Sequence, residues 1–333
     1  MREIICAPQG GAYKITIGKN LLQRANEFFA LDRKALIVTD DGVPFAYAQA
    51  VQSACKESDI FVFPQGEKSK NLQTLEDILE KMLAMNMTRK DCVIALGGGV
   101  VGDISGLAAS LYMRGVDFYN IPTTLLSAVD SSVGGKTAVD FRGVKYIVGA
   151  FYQPKGVLVS VDTLTTLNTR QLVCGIAESI KIAACLDGEF FEFLEKTELS
   201  ENALEEIIFR AVRLKRSVVE RDEKESGLRK VLNFGHTVGH GVEASGGLLH
   251  GECVAIGMLP MCGERAKERI ERILQKYGLP TRFNGDKNAV YEYAVHDKKS
   301  GEKGVDTVRV DEIGSFRFET TPFEKLKELI EKL

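Results

Sequence analysis

Tryptophan is missing from this chain of 333 residues, histidine occurs only four times, and neither sign of charge dominates: 43 Lys and Arg stand against 46 Asp and Glu, a net charge of −3. Each scarcity excludes something. The balanced, slightly acidic charge provides no broad basic face for nucleic acid or an anionic membrane, although local basic sites stay open. No run approaches the roughly 18 uninterrupted apolar residues of a membrane helix, and the first twenty residues hold no apolar core of about 7 to 15 residues of the kind a secretory signal needs. The seven cysteines, Cys6, Cys55, Cys92, Cys174, Cys185, Cys253 and Cys262, are odd in number, scattered and without a CxxC pair. They read as free, small buried hydrophobes in a reducing compartment. The expectation is a cytoplasmic chain with no nucleic-acid or membrane partner. Two motifs are also lacking: GxGxxG, the usual dinucleotide fingerprint, and HExxH, the metalloprotease helix.

What is present is ordinary globular material. At about 100 to 200 residues per domain, the length fits one large or two ordinary domains. With 44% hydrophobic residues, no disulfide or metal is needed merely to fold. Short apolar runs at Ala35–Thr39, Ile60–Phe63, Cys92–Leu96, Phe118–Pro122 and Gly156–Val161 predict buried strands, separated by helical patterns such as Leu75–Met85. Beyond about Arg170 the period becomes helical, over Gln171–Cys185, Ala203–Glu220, Gly251–Lys276 with a kink at Pro260, and Phe323–Leu333. Only Thr307–Val310 and Ser315–Phe318 read as extended in that half. The pattern predicts an α/β chain: a Rossmann-like N-terminal domain with a mostly parallel sheet over 1–167 and a mainly α-helical C-terminal domain over 168–333.

The run Cys92–Leu96 leads into Gly97, Gly98, Gly99, Val100, Val101, Gly102 and Asp103, and then into the helical ISGLAASLY. Glycines at a strand-to-helix turn let a phosphate approach bare N–H groups, and the helix N-terminus adds about half a positive charge. The turn therefore reads as a pyrophosphate cradle, although close packing alone also selects glycine. Gly66, Glu67 and Lys70 in PQGEKSK follow a predicted strand, and so do Thr123 and Thr124 after Pro122. Hydroxyls and acids at strand ends suit ribose and phosphate oxygens in an open α/β sheet. Cap and turn chemistry is the plainer account of the same residues.

Three of the four histidines lie within NFGHTVGHGVEASGGLLHGE. His236 and His240 are four apart and share a helix face, with Asn233 and Glu243 on the same face. His250 begins the next helical segment after the turn at Gly246 and Gly247, which can return it to the pair. Two imidazoles and a carboxylate leave an open position, as catalytic zinc requires. Glu178 is a candidate carboxylate because it interrupts the apolar LVCGIAESIKIAAC, where an unpaired anion costs several kcal/mol; Glu243 and Glu252 are rivals. Of the cations Arg114, Lys136, Lys145, Lys181, Lys215, Arg229, Lys298 and Lys299, each alone is an ordinary solvated charge. Lys136, however, closes the glycine-rich SSVGGK, and Lys181 lies one turn from Glu178. Together they point to a polyanionic substrate carrying phosphate or carboxylate.

The motifs GGGVVGD, YMRG, PTTLLSAVDSSVGGKT, GAFYQPK, GIAESIK, LNFGHTVGH and LHGE occur in this order, followed by DKK at 297–299. Together they resemble the 3-dehydroquinate synthase family over most of the chain. The resemblance implies an NAD-binding α/β half and a helical half, in the wider fold shared with iron-type alcohol dehydrogenases. It also implies Zn²⁺, with Co²⁺ able to substitute, held by Glu178, His236 and His250. A homodimer is implied too, in which Arg114 reaches the phosphate site of the partner subunit. Implied NAD contacts are Gly66, Glu67, Lys70, Gly98, Gly99, Val100, Val101, Gly102, Asp103, Thr123, Thr124, Lys136, Lys145, Thr163 and Thr166. Implied catalytic and substrate contacts are Asp130, Lys136, Lys181, Lys215, Arg229, Asn233, His240 and one of Lys298 and Lys299. Two positions depart from the pattern. Tyr146 follows Lys145 where many relatives have Asn, and TDDG stands for TDxN, so Gly42 offers adenosine no side chain and Asp40 is the remaining candidate.

The reaction implied is that of a carbon–oxygen lyase of the shikimate pathway to aromatic amino acids. It converts 3-deoxy-D-arabino-heptulosonate 7-phosphate to 3-dehydroquinate and phosphate by transient oxidation with NAD, phosphate elimination, reduction and intramolecular aldol closure. Alternatives within the fold are a sister sugar-phosphate cyclase and an NAD- and metal-dependent alcohol dehydrogenase. A non-catalytic NAD or metal sensor is the alternative of another class.

Overall fold

The computed structural model describes residues 1–296, 300–301 and 304–333. It contains two compact units, Met1–Leu167 with Ser200–Glu223, and Asn168–Leu199 with Lys224–Leu333.

In the first unit the strands are β1 (Arg2–Cys6), β2 (Tyr13–Gly18), β3 (Lys34–Asp40), β4 (Glu57–Phe63), β5 (Cys92–Gly97), β6 (Asp117–Pro122), β7 (Lys136–Phe141), β8 (Val144–Phe151) and β9 (Gly156–Ser160). Seven of them form one sheet in the order β1-β2-β9-β6-β5-β3-β4, parallel except for the edge pair β1–β2. Every residue of β5 is buried, because helices cover both faces of a parallel sheet and leave no polar side. Alternate residues divide between two cores. Val93 and Ala95 pack with Leu75, Ile78 and Met82 of α2 (Leu72–Ala84) and with Ile104 and Leu107 of α3 (Gly99–Leu111). Ile94 and Leu96 pack with Leu21, Leu22 and with Ala48 and Val51 of α1 (Phe45–Ser53) on the other side. β7 and β8 form a separate antiparallel hairpin.

The second unit holds α4 (Thr169–Leu186), α5 (Gly188–Lys196), α7 (His236–Ala244), α8 (His250–Met258), α9 (Glu264–Lys276), α10 (Lys287–His296) and α11 (Phe323–Glu331). A small antiparallel sheet of β10 (Ser300–Gly301), β11 (Gly304–Arg309) and β12 (Arg317–Thr321) accompanies them. No helix among the described residues is long and apolar enough to cross a membrane.

Two sequence expectations need correction. The helix α6 (Glu201–Arg221), assigned by position to residues 168–333, belongs to the first unit. Arg2 of β1 meets Glu206 at 2.5 Å, and Lys215 reaches Asp130; an amphipathic helix goes wherever its stripe is matched, which chain order does not reveal. Gly251–Lys276 is not one kinked helix: α8 ends at Met258, Leu259–Met261 is a 3₁₀ turn around Pro260, Cys262 is extended, and α9 starts afresh after Gly263.

Candidate active site

In the second unit, Glu178 sits within thirteen consecutive buried residues of α4, Val173–Cys185, at 2% exposure. The helix α8 comes unusually close to its neighbours at two glycines. A Cβ on Gly251 would lie 2.4 Å from the Cys174 carbonyl of α4, and one on Gly257 would lie 2.0 Å from the Gly235 carbonyl ahead of α7. These approaches bring the first residues of α8 and α7 to the middle of α4. Nε2 of His250 lies 3.4 Å, and Nε2 of His236 3.8 Å, from Oε1 of Glu178.

The remaining ring nitrogens are oriented from behind. Nδ1 of His236 is 3.2 Å from the Phe234 carbonyl, and Nδ1 of His250 is 3.4 Å from Oε2 of Glu243. A ring that donates through Nδ1 presents its Nε2 lone pair, which is how metal-binding imidazoles are held. Neither oxygen of Glu178 has a hydrogen bond of good geometry, although Lys181 Nζ lies 2.5 Å from Oε2 as an ion pair.

Burial pushes the Glu178 carboxyl up, but Lys181 and His250 outweigh it and hold the group at about 2. Burial likewise pushes His250 down, and Glu178 and Glu243 raise it to about 10. Two carboxylates thus draw positive charge to one spot. A divalent ion on Glu178 Oε1 and the two Nε2 atoms would supply that charge and satisfy the orphaned oxygen. The residues fit such an ion, and their ligand atoms lie within 4.8 Å of one another.

The other carboxylates have different partners. Glu252 accepts from Arg170 at 2.7 and 2.6 Å and from the Leu249 N–H at 2.7 Å. Glu243 groups with His240 and His250. The ring of His240 stands 5.2 Å from that of His236 and 6.1 Å from that of His250. Asn233 does not share the face of α7 as the spacing implied. It closes the 3₁₀ turn Leu228–Asn233, and its Nδ2 donates to Oε1 of Glu225 at 2.5 Å. Arg229 of that turn is 2% exposed.

In the first unit most of the predicted cofactor residues fall at or just after the carboxyl ends of parallel strands, where open α/β sheets bind ligands, whereas Lys136 begins β7 and Lys145 lies in β8 of the antiparallel hairpin. Asp40 ends β3, Gly66 and Glu67 follow β4, Gly98 follows β5, Thr123 and Thr124 follow β6, and Thr163 and Thr166 follow β9. No side chain caps α3 and no acid lies in its first turn, so its leading N–H groups have no side-chain cap and no carboxylate beside them. Lys70, 2% exposed, pairs with Asp103, whose carboxyl burial pushes up while Lys70 and Lys215 pull it down. Lys215 of α6 donates to the backbone oxygen and to Oδ1 of Asp130, both at 2.6 Å, in the π-helical turn Ser127–Ser131. A cavity of about 10 Å³, the size of one water, is lined by Gly102, Asp103, Ser131 and Lys136 among others. The unit therefore gathers Lys70, Asp103, Asp130 and Lys215, with Lys136 beside Asp103. Arg114 lies exposed, at φ +68°, beyond the opposite end of α3 from Gly99.

Residues 60–174 match the family model described as 3-dehydroquinate synthase N-terminal, and residues 175–300 match 3-dehydroquinate synthase C-terminal. A 3-dehydroquinate synthase of Acetivibrio thermocellus is 46% identical over 290 residues, 81% of each chain. The chain belongs to the 3-dehydroquinate synthase family. Solved structures similar to this member of the family include 2-deoxy-scyllo-inosose synthase complexed with carbaglucose-6-phosphate, NAD⁺ and Co²⁺, with a TM-score of 0.91 at 25% identity over 99% of both chains. Another is 2-epi-5-epi-valiolone synthase from Streptomyces hygroscopicus with NAD⁺ and Zn²⁺ bound, with a TM-score of 0.86 at 26% identity over 96% of both chains.

Two acids near these groups, Glu225 and Asp140, belong to no motif. Glu225 holds Asn233 from a left-handed backbone at φ +60°. Asp140 accepts the Tyr146 N–H and donates its own N–H to the Lys70 carbonyl, and Tyr146 covers Lys70. A lone acid gives no periodic signal, whether in a loop, as Glu225, or in a strand, as Asp140 of β7. Lys145 is half-buried in β8, while Lys298 and Lys299 lie outside the described residues.

Proposed function

We propose that this chain converts 3-deoxy-D-arabino-heptulosonate 7-phosphate to 3-dehydroquinate and phosphate, with NAD and a divalent ion, Zn²⁺ or Co²⁺, as cofactors. The observation that carries this reading is the buried Glu178 carboxylate facing Nε2 of His236 and His250, in a chain of this family. Relatives solved with NAD⁺ and Co²⁺ or Zn²⁺ support the cofactors. A dinucleotide held at the Gly98–Asp103 turn would supply reversible hydride transfer at the substrate carbinol, and an ion held by Glu178, His236 and His250 would supply polarisation of its oxygen.

The second unit contributes the ion site at Glu178, His236 and His250. Lys181, Arg229 and Asn233 bind substrate oxygens, and His240 moves a proton near neutral pH. In the first unit, Asp130, Lys136 and Lys215 are assigned to polar and anion contacts. Gly66, Glu67, Lys70, Gly98–Asp103, Thr123, Thr124, Lys136, Lys145, Thr163, Thr166 and Asp40 contact the dinucleotide. The departing phosphate accepts the proton lost in elimination. Holding one substrate through oxidation, elimination, reduction and aldol closure makes the steps effectively unimolecular within the complex. We also read the protein as a cytoplasmic homodimer of the shikimate pathway in which Arg114 reaches the partner subunit.

A sister sugar-phosphate cyclase is the weaker reading, since identity is 46% to the dehydroquinate synthase against 25% and 26% to the two solved synthases. The test is to incubate the protein with the heptulosonate phosphate, NAD and zinc and to follow phosphate and NADH together. Phosphate release without net NADH supports the proposal; accumulating NADH, or no turnover, overturns it.

A further inference from the structure

The hairpin β7–β8 is out of register around Asp140. Val139 pairs with Val148 and Phe141 with Val144, so one residue of β7 faces residues 145–147 of β8. Extra residues in one strand of a ladder bend it and re-aim a side chain. Here the surplus is absorbed at Tyr146, whose φ of +56° is a left-handed backbone that an aromatic residue rarely adopts. A relay of two hydrogen bonds through Asp140 holds it there. Its N–H donates to Oδ1 of Asp140 at 2.9 Å, and the Asp140 N–H donates to the Lys70 carbonyl at 2.8 Å. The hairpin is thereby tied to the segment that carries Lys70.

The ring completes the arrangement. Lys70 Nζ lies 4.1 Å from the centroid of the Tyr146 ring and pairs with Asp103 of α3. Tyr146 is 43% exposed, whereas Lys70 is only 2% exposed, so the ring shields the ammonium from water. A dry ammonium held between a carboxylate and a π face cannot swing into solvent, and cation–π attraction strengthens on desolvation.

We propose that Tyr146 is a positioning residue for the dinucleotide: through the face of its ring it holds Lys70 and Asp103 in a preformed arrangement beside the bare N-terminus of α3. This rests on the reading that the Gly98–Asp103 turn takes a dinucleotide. Loss of the ring frees the ammonium toward water and loosens Asp103, so NAD must reorder both on binding.

The test uses the full chain with Tyr146→Phe, Tyr146→Leu and Tyr146→Ala. NAD affinity is measured by calorimetry, and Lys70 acetylation by acetic anhydride with mass spectrometry in the absence of NAD. Leu and Ala are expected to weaken NAD binding by about twofold to thirtyfold, the range from an exposed to a desolvated cation–π contact, and to speed acetylation of Lys70, with zinc content unchanged. Phe is expected to match wild type in both. Wild-type affinity and protection in the Leu and Ala variants overturn the proposal but not the dinucleotide reading. Failure of the wild-type protein to bind NAD overturns both. A Phe variant as weak as Ala also overturns it, because the hydroxyl and not the ring face is then responsible.

Discussion

Glu243 on α7 stands behind His250 at the start of α8, its Oε2 3.4 Å from Nδ1, so that Nε2 of the same ring faces Glu178. A carboxylate in that place fixes the tautomer and raises the basicity of the imidazole. Replacing Glu243 by Ala is expected to lower zinc affinity by about 10- to 100-fold with the fold intact, measured by competition with a chromogenic chelator. An unchanged affinity would show that His250 needs no such support.

Glu178 and His250 themselves are expected to be indispensable for the ion. Glu178→Gln, nearly isosteric, and His250→Ala should reduce bound zinc from about one ion per chain toward none and abolish phosphate release. NAD binding should survive, since its proposed contacts lie in the first unit. Atomic absorption on the purified variants decides this, and wild-type zinc stoichiometry in either would refute the ligand assignment.

The approach of α8 to Gly235 leaves no room for a side chain at Gly257, where a Cβ would be 2.0 Å from a carbonyl oxygen. Backbone cannot give way as a flexible side chain can, so Gly257→Ala is expected to destabilise the protein by about 2 to 4 kcal/mol and to weaken zinc binding as His236 and His250 separate. Gly188→Ala is the control, its nearest atom being Ile313 O at 3.7 Å. Thermal unfolding should separate the two variants by several degrees, and equal midpoints would contradict the packing argument.

Glu206 provides a pH-dependent tie between α6 and β1. Burial raises its carboxyl, but hydrogen bonds from Arg210 and Arg2 outweigh this and hold it below the usual carboxylate range. A depressed folded-state value means that its stabilisation is complete above the unfolded value of about 4.3 and disappears as pH falls through the folded value. Glu206→Gln should therefore cost about 1 kcal/mol near neutral pH and almost nothing in strong acid. Urea unfolding at both conditions checks this, and an equal cost at both would exclude an electrostatic tie.

Legibility along the chain follows burial. Ala35–Thr39 and Cys92–Leu96 are recognisable as strands because both faces of a parallel sheet are covered, leaving uninterrupted apolar runs. β8 is not, because its residues are exposed or half-buried, as in YIVGAF, and its register is broken at Asp140. β1 and β2 escape notice as a short edge hairpin. The histidine spacing of α7 and the turn before α8 are local facts, readable from letters alone.

Local pattern therefore settled which segments are core, which turn bares its N–H groups, and which side chains are capable of metal or anion chemistry. These depend on neighbours within a few residues. Packing between distant segments settled the rest: that Glu178 faces two imidazoles while Glu252 pairs with Arg170, that Lys215 meets Asp130 on the first unit, and that Tyr146 covers Lys70. Each of these joins residues from different elements: the metal-site contacts depend on the close backbone approaches at Gly251 and Gly257, and the Tyr146 contact on the broken register of β7 and β8. Such approaches leave no periodic trace in a sequence, because a glycine or a lone acid looks the same wherever its partner lies.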